Sequence, residues 1–369
     1  MNPGTVAPVQ SLNFYLPFST LFVQFRGVKR LLIGLACLTP FLLNAQIGGR
    51  NVYDFLNLTP AARTASLGGV NITTYDHDAN FAYQNPALLN DSMHQQVSMS
   101  YVNFLGGINY GYASYAHSVE DIADFHGGVQ YVGYGEMIQA DVFGNQTGTF
   151  RAGDIALVAG ASRKVDRFRI GANIKFVNSS ISGFQSNSAL AFDLGGLYVS
   201  DKGLFTAGMT FNHFGFNLSS WNTTVPTPLP FDLRLGLSQR LAHMPLRFSM
   251  VIHNINRPNL IFFDRDAPIE FDLSGEPIEN KFPFFDNLFR HFIFGTEFLI
   301  SKGFNLRAGY NHMRRQELRN QNRAGLSGFS FGAGIKIKNF RIDYGLASYH
   351  AVGPTHNFSI GTSIGDWKK

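Results

Sequence analysis

Apolar and polar residues alternate along most of the chain from residue 97 onward. Between Phe168 and Phe176 every second residue is apolar, and polar or glycine residues such as Arg169 and Lys175 stand between them. The same two-residue period recurs at 231–237, 304–310, 329–337 and 340–346. Successive side chains of a strand leave opposite faces. The pattern therefore predicts strands with one apolar face and one polar or glycine face.

Fourteen strands are predicted, separated by turn-like stretches. An even number of antiparallel strands is typical of outer-membrane barrels. The predicted strands lie near 97–105, 108–117, 126–141, 147–162, 167–178, 188–199, 203–214, 230–242, 245–254, 290–301, 303–314, 328–338, 339–350 and 356–366.

The predicted connections alternate in length, which favours a membrane barrel over a soluble sandwich. From the fourth strand onward, short connections at 163–166, 200–202, 243–244, 302 and 338–339 alternate with long ones at 178–187, 215–229, 255–289 and 315–327. Outer-membrane barrels have short periplasmic turns and long outer loops. The first hairpin departs from this rule, with a short connection near Gly106 and Gly107 and a longer one at 118–125. We therefore expect an all-β transmembrane barrel whose apolar face contacts outer-membrane lipid and whose long loops face the cell surface.

The polar face of these strands is expected to line the lumen, where it would place nine charges. The favoured interpretation is a network of ion pairs around a plug, and the alternative is a conduit for anionic solutes. The predicted lumen charges are Arg169, Lys175, Asp193, Asp232, Arg234, Glu297, Arg307, Arg341 and Asp343.

The first 96 residues do not alternate. An apolar run from Leu31 to Leu43 follows Lys29 and Arg30 and ends before Ala45. It is too short to span a bilayer as a helix and is typical of a secretory signal. We assign 1–45 to a signal peptide, of which 1–27 resembles an extension ahead of the true start. Residues 46–96 are predicted to form a hatch, or plug, inside a barrel of residues 97–369.

Composition agrees with a barrel and indicates neither an enzyme nor a nucleic-acid partner. The chain has 38 Gly and 36 Phe but only 15% charged residues, against about 25% in soluble domains. The net charge of +5 is dispersed, without a basic block. The 11 histidines are scattered, so no metal site or cofactor is predicted, and the only cysteine, Cys37, lies within the signal segment.

Two short motifs resemble functional sites. The stretch from Gly328 through Ser330 to Gly332 matches a nucleophile elbow, but such an elbow needs a strand-to-helix turn, and here the strand pattern continues. The stretch 76–80 resembles the start of a calcium loop, yet Phe81 occupies the glycine position. We favour a lumen-facing serine for the first motif and a hydrogen-bonded turn for the second, and we predict no catalytic residue.

Two long loops carry apolar aromatics between charged or proline residues. Such residues on an external loop frequently mark a partner surface, and the alternative is that the loops fold inward and cap the barrel. The candidate docking residues are Trp221 in 215–229 and Phe262, Phe263, Phe284 and Phe285 in 255–289.

The predicted hatch carries a recognisable motif. Residues 61–69, Ala-Ala-Arg-Thr-Ala-Ser-Leu-Gly-Gly, followed by Asn-Pro-Ala at 85–87, resemble the hatch of FadL-like outer-membrane barrels. The stretches 46–49 and 52–58 are similar to those of the PorV/PorQ branch, on its PorQ side. The residues that match the hatch motif are Arg63, Leu67, Gly68, Gly69, Asn85, Pro86 and Ala87.

This resemblance implies a fourteen-stranded barrel without catalysis of its own. PorQ-like proteins belong to the attachment complex of the type IX secretion system, which processes cargo and anchors it to lipopolysaccharide. The implied role is to tether a PorZ-like surface protein beside PorU- and PorV-like members of that complex. The alternative is a FadL-type transporter of hydrophobic or anionic small molecules. A hydrolase would rest on the Ser330 motif alone.

Overall fold

Fourteen antiparallel strands form a closed barrel, as predicted. In a computed structural model of the chain, the described residues are 51–181, 185–219, 228–261, 283–318, 325–350 and 353–367. Each strand pairs with its neighbours in sequence, and β1 pairs with β14 to close the sheet. The strands are β1 (Gln96–Asn103), β2 (Asn109–Val119), β3 (Ala123–Ala140), β4 (Gln146–Val165), β5 (Phe168–Ile181), β6 (Gln185–Val199), β7 (Phe205–Asn217), β8 (Asp232–Arg240), β9 (Leu246–Ile252), β10 (Phe292–Phe298), β11 (Phe304–Asn311), β12 (Phe329–Ile337), β13 (Phe340–His350) and β14 (Gly353–Ser363).

The two-residue period separates the wall into an apolar outer face and a polar inner face. On β8, Leu235 and Leu237 are each 42% exposed, whereas Asp232 and Arg234, at the alternate positions of the same strand, are buried. On β12, Phe331 is 44% exposed and its neighbour Ser330 is buried. Large apolar side chains therefore cover the outside of the barrel, as expected where hydrocarbon replaces water.

The three longest connections, 218–231, 253–291 and 312–328, all lie at one end of the barrel. The end that holds the β2–β3, β4–β5, β6–β7, β8–β9, β10–β11 and β12–β13 connections is called the short-turn end, and the opposite one the long-loop end. The longer connection predicted at 118–125 is wrong, since Val119 pairs with Ala123 and only 120–122 lie between the strands. The short connection predicted near Gly106 and Gly107 is confirmed: only 104–108 separate β1 from β2, at the long-loop end, so the first hairpin still departs from the alternation.

The long connection predicted at 178–187 is also wrong, because β5 and β6 continue into it and Ile181 pairs with Gln185. This stretch is rich in serine and asparagine on both faces. The apolar alternation ends there although the backbone ladder continues, so the pattern gave no strand signal.

Residues 51–95, here called the N-terminal segment, precede β1 and form short helical turns. They comprise 3₁₀ turns at Asp54–Asn57, Ala79–Tyr83, Pro86–Leu88 and Asp91–Met93, and one short helix, α1 (Ala62–Ser66). Most of the segment is buried; Leu56, Ala65, Ile72, Phe81 and Leu88 are each at most 1% exposed. The segment therefore lies inside the barrel and is surrounded by its wall. Its polar atoms form hydrogen bonds with inward side chains of nine strands: β1, β3, β5, β7, β8, β9, β10, β12 and β14.

Two further helices lie at the long-loop end, α2 (Phe284–Arg290) and α3 (His312–Glu317). The Asp286 carboxylate of α2 accepts a hydrogen bond from His312 of α3 at 3.0 Å. Across the described ranges, no helix is both long and apolar enough to span a bilayer.

Candidate functional site

Arg63 of α1 joins the N-terminal segment to the barrel wall. Its Nε donates to Glu297 of β10 at 2.9 Å and its Nη2 donates to the other Glu297 oxygen at 3.1 Å. Its remaining three N–H groups donate to two carboxylates of its own segment, to Asp76 at 2.6 Å and 3.0 Å and to Asp78 at 3.2 Å. All five N–H donors of this buried guanidinium therefore have acceptors.

Barrel arginines extend this contact into one network. Four arginines meet four carboxylates, so the group is balanced in charge, which a buried set of ions requires to offset its loss of hydration. We call these eight residues the ion network. Its other pairs are Arg247–Asp76 at 2.9 Å, Arg247–Glu297 at 2.8 Å, Arg307–Glu297 at 3.2 Å, Arg307–Asp343 at 2.7 Å, Arg341–Asp343 at 2.8 Å and Arg341–Asp78 at 3.3 Å.

Asp76 is charged despite its burial. Burial opposes ionisation, but the guanidinium groups of Arg63 and Arg247 outweigh it and hold the pKa of Asp76 well below its usual range. The pKa of Arg63 is raised well above its usual value, because Asp76, Glu297 and Asp78 outweigh its desolvation. Asp76 and Arg63 therefore both carry their charges at neutral pH.

The Leu-Gly-Gly sequence that follows α1 turns the chain against β11 and β12. Gly68 and Gly69 have φ of +93° and +95°, which side chains disfavour. The Gly68 N–H donates to Ser330 Oγ at 3.0 Å. Leu67 is 1% exposed and packs in a cluster with Phe81.

Asn85, Pro86 and Ala87 form a compact turn against β5 and β6. The Asn85 side chain accepts from the Ala87 N–H at 3.0 Å and donates to the Ile72 carbonyl at 2.7 Å. Pro86 occupies the first position of its 3₁₀ turn, where no N–H is needed. All seven residues of the predicted hatch motif are thus placed in the N-terminal segment, at its contacts with the wall or with itself.

Inward glycines of the wall leave room for the segment. A Cβ at Gly171 would lie 2.6 Å from the Pro86 carbonyl carbon, and one at Gly236 would lie 2.8 Å from Ile72. The segment therefore approaches the strands more closely than any larger residue would allow. The glycines that behave in this way are Gly171, Gly195, Gly208, Gly236, Gly295, Gly309, Gly332 and Gly345.

A second buried charge cluster lies on the opposite wall. The Lys175 ammonium is 2.7 Å from the Asp193 carboxylate, and both side chains are fully buried. Asn173 donates to Asp193 at 3.0 Å and to the Ala82 carbonyl of the segment at 3.0 Å. The Lys175 Nζ lies 3.9 Å from the ring centroid of Tyr83. This cluster also joins wall and segment.

The other predicted lumen charges face inward and are paired. Arg234 binds Asp232 at 2.5 Å and donates to Asn57 of the segment at 3.4 Å. Arg169 forms an ion pair with Asp124. The nine residues therefore form separate ion pairs or belong to the ion network, rather than an open row of cations.

Three members of the ion network were not among the predicted site residues. Arg247 lies at the start of β9, where a single arginine in an alternating strand carries no distinguishing signal. The sequence predicts a hydrogen-bonded turn that contains Asp76 and Asp78, and Asp78 does accept from the Asn80 N–H at 3.2 Å. Their main partners are arginines, which a spacing pattern within one segment does not reveal.

The stretches 328–332 and 76–80, which resemble a nucleophile elbow and a calcium loop, have other surroundings in the structure. Ser330 lies within β12, not on a strand-to-helix turn, and its Oγ accepts from Gly68. Within the described part of the chain, no group of three or more His, Cys, Asp or Glu side chains is arranged to hold a metal ion.

One pair of candidate docking residues lies on α2 at the long-loop end. Phe284 is 62% and Phe285 is 73% exposed, and Leu288 and Phe289 on the same helix are 41% and 49% exposed. The tip of the β3–β4 hairpin at the same end exposes Phe143 by 86%. Trp221, Phe262 and Phe263 lie outside the described residues.

The similarity of this chain to known proteins lies in its three-dimensional structure. No family model matches the sequence, and no curated protein matches it. A solved TodX deltaS2S3 mutant, a monoaromatic hydrocarbon channel, is 14% identical with a TM-score of 0.53, over 82% of this chain and 99% of that one. CymD, also a monoaromatic hydrocarbon channel, is 13% identical with a TM-score of 0.50, over 85% and 99%. A Pseudomonas aeruginosa FadL homologue is 12% identical with a TM-score of 0.47, over 83% and 98%.

At identities this low, the similarity establishes the fold alone. The chain has the closed β-barrel fold of the TodX and CymD structures.

Proposed function

We propose that this protein is an outer-membrane barrel that holds a partner protein at its long-loop end, with its lumen closed by the N-terminal segment. The observation that carries the proposal is the aromatic face of α2. Phe284, Phe285, Leu288 and Phe289 are exposed together on one short helix. Clustered aromatics facing water are typical of protein interfaces.

The interior supports a holding role rather than an open pore. The segment contributes backbone and side-chain groups to the ion network, the Lys175 cluster and the glycine contacts. To open the lumen, charges such as Arg63 and Glu297 would have to separate, which costs several kcal/mol when a buried pair is broken. In this proposal the segment is a hatch that keeps permeability low while the outer loops bind the partner.

The sequence resemblance extends this proposal to a specific setting. The PorV/PorQ-like hatch motif supports a place in the type IX attachment complex, with a PorZ-like surface protein as the bound partner. PorU- and PorV-like proteins would then process and anchor the cargo, and this chain would need no catalytic residue.

The test is retention of type IX cargo at the cell surface by a strain that carries Phe284→Ser and Phe285→Ser. We expect cargo to be released into the medium while the amount of folded barrel is unchanged. The matched control is Met244→Ser with Trp367→Ser, two exposed apolar residues of the short-turn half (53% and 58% exposed). Normal cargo retention in the α2 double variant, with PorZ-like protein still at the surface, would reject the proposal.

Transport of small apolar molecules is the second candidate function, and the structural comparisons support it more directly than the first. The three similar structures with TM-scores of at least 0.50, two TodX mutants and CymD, are described as monoaromatic hydrocarbon channels. A FadL-type transporter would pass such molecules through a plugged barrel.

Uptake of a radiolabelled monoaromatic compound by vesicles separates the two functions. A transporter predicts faster uptake by vesicles that contain the protein than by empty ones. Equal uptake would exclude this second function and leave the first unaffected.

A further inference from the structure

A cavity opens at the short-turn end, beneath three consecutive turns. It has a volume of about 510 Å³. Its walls come from the ends of β8 and β9, the β10–β11 turn, and the facing ends of β12 and β13, and its floor comes from Arg63, Asp76 and His77 of the N-terminal segment. The cavity is therefore bounded by both the barrel and the segment.

The barrel stretches that line this cavity carry positive charges and no negative ones. The stretches 238–247, 299–305 and 334–341 contain six lysines and arginines and no aspartate or glutamate. Five of these cations line the cavity, and we call them the basic mouth: Arg240, Arg247, Lys302, Lys336 and Arg341. By contrast, a second cavity at the same end, between β2 and β5, is lined by Asp91, Glu120, Asp121 and Asp124 together with three cations.

The available carboxylates do not neutralise the basic mouth. Asp76 is the one carboxylate among the lining residues, and it already binds Arg63 at 2.6 Å and Arg247 at 2.9 Å. Arg341 forms ion pairs with Asp343 and Asp78 within the charge-balanced ion network. Among the described residues, Arg240, Lys302 and Lys336 form no ion pair, so three positive charges around the cavity are uncompensated.

Two of the buried arginines also retain hydrogen-bonding capacity. Arg247 donates only through Nη1 to the described residues, and its side chain is 11% exposed. The Arg341 side chain is 13% exposed. A ligand in the cavity would therefore meet guanidinium groups that the ion network holds in place, in addition to the exposed cations of the rim.

Isolated surface lysines are usually solvated and need no ligand. Here the unpaired cations surround one concave space, where a potential of one sign is focused and draws counter-ions. Planar guanidinium groups bind phosphate oxygens in a bidentate manner, and lysine binds them as a point charge. A multiply charged anion would satisfy more of these five cations than a single carboxylate.

We propose that the basic mouth is a binding site for a phosphate-bearing anion at the short-turn end of the barrel. The anion contacts Arg247 and Arg341 at the inner side and Lys302, Lys336 and Arg240 at the rim. A soluble phosphate compound and a phospholipid headgroup share this chemistry. The site lies at the opposite end from α2, so it stands or falls independently of the docking proposal.

Calorimetric titration of the full-length, detergent-solubilised protein with inorganic pyrophosphate tests the site. The wild type is expected to bind, with an affinity that falls as salt is raised. Lys302→Gln with Lys336→Gln should weaken binding about tenfold, the sum of two exposed charge contacts. The control, Lys202→Gln with Lys338→Gln, removes the same charge from turns of the same end but from outside the cavity, and should bind as the wild type does.

Two results would overturn the proposal: no pyrophosphate binding by the wild type, or equal weakening in the two double variants. A competition arm distinguishes the source of the phosphate. Displacement of pyrophosphate by phosphatidylglycerol in mixed micelles assigns the site to a lipid headgroup, and retention of pyrophosphate assigns it to a soluble compound.

Discussion

The Arg63 side chain connects the N-terminal segment to the barrel wall. Its partner Glu297 is 234 residues away in sequence, and both are almost fully buried. Because a buried guanidinium needs every donor satisfied, its position fixes the surrounding carboxylates as well. Arg63, one of the seven residues of the predicted hatch motif, is therefore also the centre of the ion pairs that connect the N-terminal segment to the wall.

Replacing Arg63 by glutamine tests this role. Asp76, Asp78 and Glu297 would each lose a cation while remaining buried, so we expect the free energy of unfolding to fall by about 3–5 kcal/mol. The measurement is denaturant unfolding of the barrel in lipid vesicles. Arg151→Gln is the control, since its pair with Glu136 is solvent-exposed (77% and 51%) and contributes little; an equal loss in the two variants would refute the account.

The depressed pKa of Asp76 predicts how the stability of the folded barrel depends on pH. A carboxylate whose pKa is depressed in the folded state stabilises it above the unfolded pKa and loses that contribution as pH falls through the folded pKa. We therefore expect stability to decrease once the pH drops below about 4. In Asp76→Asn the unfolding free energy should be lower at neutral pH and should depend less on acidification. A wild-type and variant curve of the same slope below that pH would contradict this prediction.

At the scale of elements, the wall and the N-terminal segment fit each other through glycine. Eight inward glycines lie where the segment's backbone or short side chains approach the strands. In Gly309, an added Cβ would overlap the Gly68 nitrogen and the Leu67 carbonyl carbon. The high glycine content is thus explained partly by this contact, and not only by barrel curvature.

Gly309→Val should therefore displace the segment, whereas Gly196→Val should not. Gly196 faces outward with nothing within 4 Å of an added Cβ. We expect the first variant to lose about 1–3 kcal/mol of unfolding free energy through overpacking, and the second to match the wild type. Increased proteolysis between residues 51 and 95 in Gly309→Val alone would locate the effect, and equal behaviour of the two variants would oppose it.

The elements themselves were largely predictable, and their contacts were not. The alternation of apolar and polar residues located all fourteen strands, because each strand has one face in an apolar environment and the other in a polar one. The alternation did not predict the ends of β5 and β6 at 178–187, where the sequence is rich in serine and asparagine. The pairing of Arg63 with Glu297, and the reason for Gly332 beside Ser330, depend on chain segments far apart in sequence, so no local period records them.

At the scale of the whole molecule, three layers follow one another from outside to inside. The outer face is apolar, the strands carry the hydrogen-bonded ladder, and the inner polar face is matched by the N-terminal segment. Such an arrangement satisfies the backbone groups that a bilayer leaves without water. The two ends then differ in chemistry: the long-loop end carries exposed aromatics on α2, and the short-turn end carries the basic mouth.

Ion conductance in planar bilayers tests most directly whether the segment closes the barrel. The intact protein is expected to show no steady conductance, because the ion network and the glycine contacts hold residues 51–95 in the lumen. A variant that lacks residues 51–95 is expected to conduct once inserted. Stable conductance of the intact protein, equal to that of the deletion variant, would contradict a closed lumen.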